Sequence, residues 1–69
     1  MNVTLDESIA IYARCSLRWF GARARERTRE RIEQLNKAGD FEGAKVHIRV
    51  NEHILQIEQQ RAQERTVLG

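Results

Sequence analysis

Apolar or small residues recur at Leu5, Ile9, Ala13, Leu17, Phe20, Ala24, Thr28, Ile32 and Leu35. Every step is three or four residues, the spacing of one stripe along an α-helix. A second pattern begins after Phe41. Ala44, Ile48, Leu55 and Ala62 lie at heptad-like spacing, broken by Asn51 and Glu58, and Val46, Val50, Ile54 and Ile57 form an adjacent row. Between the two patterns stands Ala38-Gly39-Asp40, the one clean break in a chain without proline. Gly39 suits the left-handed residue that closes a helix, and Asp40 suits the N-cap of the next. At the other end, Thr4-Leu5-Asp6-Glu7 has the form of a capping box, with both acids placed at the positive helix end. The pattern predicts an all-α fold, an antiparallel two-helix hairpin. Its parts are a helix over about 5–37, a turn at 38–40 and a helix over about 41–65, with residues 66–69 frayed or loosely packed.

Gly21 interrupts the first helix, where glycine costs about 1 kcal/mol relative to alanine. A kink or short break is one reading. The preferred one is close packing, with Gly21 and Ala24 admitting large side chains from the opposing helix. An unbroken helix over these residues is about 50 Å long. Folding about Gly39 brings together residues whose numbers sum to about 79. Leu35 then faces Ala44, Ile32 faces His47 and Ile48, and Ala24 faces Leu55. Thr28 falls opposite Asn51, either as a buried polar layer or as two side chains on the solvent edge.

Both helices have more apolar surface than one hairpin contact covers. Residues 9–20 add Ile11, Tyr12, Cys15 and Trp19 on the far side of the first stripe, and the second helix carries two rows. Apolar character nearly all round implies burial on more than one side. Sixty-nine residues make a small core, and chains of this size commonly rely on a staple or a partner. Cys15 is the only cysteine, so no intrachain disulfide forms. The expectation is therefore a homodimeric four-helix bundle. Its candidate interface is Ile11, Tyr12, Cys15, Trp19, Val46, Val50 and Ile57. A docking face for a different protein comes second.

The charge is unevenly placed. Residues 14–31 hold seven arginines against Glu26 and Glu30. On one continuous helix, Arg14, Arg18, Arg25 and Arg29 fall within about 60° of one another. That stripe could follow a phosphate backbone, so an RNA- or DNA-binding dimer is the alternative reading. The favoured reading is a solvated face, since Glu26–Arg29, Arg27–Glu30 and Arg29–Glu33 have the spacing of helix-stabilising ion pairs.

No constellation of catalytic type is present. His47 and His53 are six residues apart, whereas two ligands on one helix need a separation of three or four. No nucleophile–base pair, paired acid or glycine-rich loop accompanies them, so no enzyme activity, metal or cofactor is expected. His47 is read as a boundary residue beside Ile32, and His53 as a surface residue. Cys15 is read as packing, with oxidation or an intersubunit disulfide as its other uses. A lone cysteine and the lack of a long apolar run point to a cytoplasmic protein with no membrane partner.

Trp19-Phe20-Gly21-x-x-Ala24, Arg31-Ile32-x-x-Leu35, Ala38-Gly39-Asp40, Gly43 and Ile54-x-x-Ile57 together resemble short alphaproteobacterial helical-hairpin proteins. Those share a G-x-x-A … R-I-x-x-L-x-x-A-G-D-x-x-G pattern followed by a second helix. The resemblance covers roughly residues 10–57. It departs at Lys45-Val46-His47, where the others commonly have an aromatic residue, and in its abundance of arginine. It implies a fold and a bacterial origin, and no activity. The sequence therefore reads as a small non-enzymatic interaction or regulatory protein acting as a homo-oligomer.

Overall fold

The computed structural model describes residues 3–68, with side chains over residues 3–65. Its regular structure over these residues is entirely helical. Helix α1 spans Leu5–Phe20, a 3₁₀ turn spans Gly21–Arg23, α2 spans Ala24–Lys37 and α3 spans Phe41–Leu68. The last helix runs three residues past the expected Arg65, and Gly69 lies outside the described residues.

The caps form as their residue types dictate. The Glu7 amide donates to Thr4 Oγ1 at 3.1 Å, starting α1. At the end of α2, Gly39 takes a φ of +79°, its amide donates to the Asn36 carbonyl at 3.1 Å, and the Asp40 amide donates to the Leu35 carbonyl at 2.8 Å. This pair of bonds is the Schellman closure. Asp40 then caps α3, accepting the Gly43 amide on Oδ1 at 3.0 Å.

The first helix is not continuous. Gly21 adopts φ +55° and ψ −127°, a backbone region essentially reserved for glycine. The close-packing expectation is wrong here: a Cβ on Gly21 would meet nothing within 4 Å. Glycine is used for its dihedrals, and only Ala24, fully buried, has the packing role. Turning at Gly21 folds α1 back over α3, which brings Ile9, Ala13 and Leu17 onto Val50 and Ile54. Asp6 now pairs with Arg49, and the Tyr12 and His47 rings meet edge-on with centroids 5.4 Å apart. In a straight helix Asp6 would lie about 36 Å from the position opposite Arg49.

The core follows from this fold-back. Ile9, Ala13 and Leu17 of α1 pack with Ala24 of α2 and with Val50 and Ile54 of α3, and Val46 and Ile57 border them. Val50 is 1% exposed and Ile54 is fully buried. Burying side chains of this size is worth about 1.5–3 kcal/mol each. The second row of α3 thus finds its partner within the chain. Val46, Val50 and Ile57, expected at a subunit interface, belong to the intrachain core, with α1 covering them. The first row adjoins α2, where Leu35, Thr28 and Ala44 are buried. Ile48 of that row is a correction, being 43% exposed. Leu5 and Phe20, at the ends of α1, are also exposed.

The α2–α3 register is close to the expected one. Arg25 Nε donates to Asn51 Oδ1 at 3.4 Å. No hydrogen bond joins Thr28 to Asn51 among the described residues. Thr28 is buried, and its hydroxyl donates to the Ala24 carbonyl at 2.8 Å, one turn back in its own helix. The solvent-edge form of the Thr28–Asn51 arrangement does not occur, because Thr28 is buried.

Candidate functional site

The fold-back gives α1 an inner face on the core and an outer face toward solvent. Ile11, Cys15 and Trp19 follow one another at intervals of four on the outer face, with Tyr12 beside them. Ile11, Tyr12 and Trp19 are exposed and Cys15 is half-buried. Trp19 is 67% exposed, and its one ring contact among the described residues is edge-on to Phe20 at 6.5 Å. These four are the candidate interface residues that the structure leaves accessible. Contiguous apolar surface of this kind is uncommon on a stable monomer and marks interaction sites. Arg14 and Arg18 flank the stripe, and neither makes an ion pair among the described residues.

The arginine stripe of the alternative reading is divided. The projection that aligned Arg14, Arg18, Arg25 and Arg29 assumed one helix axis. The turn at Gly21–Arg23 places the first pair on α1 and the second on α2. Arg25 is held by Asn51, while Arg29 stays exposed without an ion pair among the described residues. Of the expected helix pairs, Arg27–Glu30 forms at 3.5 Å. Glu26 instead takes Arg23 at 3.3 Å, and Arg29–Glu33 does not form among the described residues.

A second feature was not legible in the sequence. Where α1 turns back beside α2, the two helices leave an open cleft of about 230 Å³. Tyr12, Ser16 and Phe20 line it from α1, Thr28, Arg31 and Gln34 from α2, and His47 from α3. The His47 ring is fixed by a 2.9 Å bond from Nδ1 to the Gly43 carbonyl. Because a carbonyl only accepts, Nδ1 carries the proton. His47 is therefore a boundary residue, as expected, but its ring neighbour is Tyr12. His53 is half-buried rather than on the open surface. Gly21, a residue able to break the first helix, was the signal that could have revealed this cleft.

Among the described residues no group of three histidine, cysteine or acidic side chains is placed to hold a metal ion. No helix among them is long and apolar enough to cross a membrane. No protein-family model matches the chain, and neither a curated protein nor a solved structure matches it.

Proposed function

We propose that this protein is a small helical interaction module that self-associates through the outer face of α1. The observation that carries the reading is the row Ile11, Tyr12, Cys15 and Trp19, which runs along one face of α1 outside the core. A two-fold dimer apposes the same patch on each copy, so one apolar stripe serves both sides. Because each chain contributes three α-helices, the pairing joins two α1 faces rather than building the expected four-helix bundle from two simple hairpins. A row containing Trp and Tyr with Arg beside it has the composition of a protein interface. The reading includes a bacterial, reducing cytoplasm, which the single cysteine and the resemblance to alphaproteobacterial hairpin proteins support.

Light scattering across a dilution series tests this reading. A dimer that persists on dilution and becomes monomeric with Trp19→Glu is the expected result. A parent chain that is monomeric throughout would sink self-association and turn attention to a different protein as partner. The RNA- or DNA-binding alternative is less favoured, because its four arginines sit on two helices and one is engaged. A mobility shift with mixed RNA at low salt is expected to show no complex.

A further inference from the structure

The cleft between α1 and α2 shares Tyr12 with the proposed interface, and its other features are ones that neither folding nor self-association requires. Ser16 is 3% exposed, lines the cleft, and its hydroxyl bonds no group among the described residues. A buried hydroxyl usually has a partner, so one open to a cavity is a donor in waiting. Charge gives a second, independent mark. Of the charged groups at the cleft, Arg27 and Glu30 neutralise each other at 3.5 Å. Arg31 is left with only the neutral Gln34 Oε1, at 3.4 Å. One positive charge is thus uncompensated. The walls are aromatic: Tyr12 stands edge-on to the fixed His47 ring, and Phe20 is held under Arg27 at 5.8 Å.

We propose that this cleft binds a small aromatic carboxylate. The planar guanidinium fork of Arg31 suits a carboxylate, and a single free charge suits a monoanion. Ser16 donates to the same carboxylate, while Tyr12 and Phe20 enclose the ring. The size fits. A cavity of about 150 Å³ holds benzene, and the 230 Å³ here leaves room for a carboxylate beside one ring.

The test is a titration of the full-length ¹⁵N-labelled chain with benzoate, read by amide chemical shifts. Acetate supplies the charge without the ring, and benzyl alcohol the ring without the charge. Saturable shifts at Tyr12, Ser16, Phe20 and His47 are expected with benzoate, and weaker binding of both controls. Arg31→Gln should weaken benzoate about tenfold, the effect of one charge-assisted hydrogen bond, and Ser16→Ala should weaken it less. Because Arg31 is exposed, its variant folds. Binding should survive Trp19→Glu, which separates this site from the outer face of α1. Shifts that stay linear up to about 10 mM benzoate, equal binding by Arg31→Gln, or acetate binding as tightly as benzoate would each overturn the proposal.

Discussion

At the residue scale, the turn between α2 and α3 shows one side chain dictating another. Gly43 sits in helix, yet a Cβ there would meet Asp40 Oδ2 at 2.5 Å and its Cγ at 2.9 Å. The Asp40 carboxylate folds over Gly43 because it is bonded to that residue's amide. Glycine leaves room for this placement of the carboxylate, which a Cβ at residue 43 would push aside. Asp40→Ala is expected to cost about 1 kcal/mol, lowering Tm by about 4–8 °C in a chain of this size. Gly43→Ala gains about 1 kcal/mol of helix propensity but displaces the cap, leaving stability nearly unchanged. In the Gly43→Ala background, Asp40→Ala should then cost little. A double-mutant cycle by urea denaturation measures this coupling, and additive effects would show the two positions to be independent.

At the element scale, Gly21 decides whether the first thirty-odd residues make one helix or two. The two possibilities predict opposite signs for one substitution. In a straight helix, Gly21→Ala would stabilise by about 1 kcal/mol through propensity. In the observed turn, with φ at +55°, the alanine is strained and the variant should lose about 1–3 kcal/mol. Denaturation midpoints of the two proteins read the sign directly. The same turn selects which row of α3 is core. Ile54→Ala should cost about 2–5 kcal/mol, because Ile54 lies among Ile9, Ala13 and Leu17. Ile48→Ala should stay within about 0.5 kcal/mol, since that side chain is 43% exposed. An unbroken hairpin would give the larger loss at Ile48, which it places opposite Ile32.

At the scale of the whole molecule, the chain spreads over 46 × 31 × 17 Å, long and thin rather than round. A flat arrangement of helices leaves one broad side of α1 uncovered, and Trp19 stands at the end of it. Trp19→Glu should therefore remove self-association while leaving the monomer's fold intact, because its side chain is largely in solvent. Circular dichroism and light scattering together check both halves of that expectation. Loss of helicity in the same variant would instead give Trp19 a role inside the fold. The surface ion pairs add little at this scale: Arg23–Glu26, Lys45–Glu42 and Asp6–Arg49 are all exposed pairs, each worth about 0–1 kcal/mol.

What the sequence by itself determined is local. Thr4, Gly39 and Asp40 act on backbone groups within a few residues, so the start of α1 and the turn between α2 and α3 were readable from residue type alone. The periodicities were readable for the same reason, since one helix face is set by spacing along one segment. Tertiary structure decided what each face meets. The stripe at Ile9, Ala13 and Leu17 fitted a straight helix as well as a folded one, because period alone carries no information about a helix's direction after a glycine. The choice came from burial, since the turned helix covers Val50 and Ile54. That choice moved Val46, Val50 and Ile57 from interface to core, divided the arginine stripe, and brought Ser16, Arg31 and His47 from three helices to one cleft.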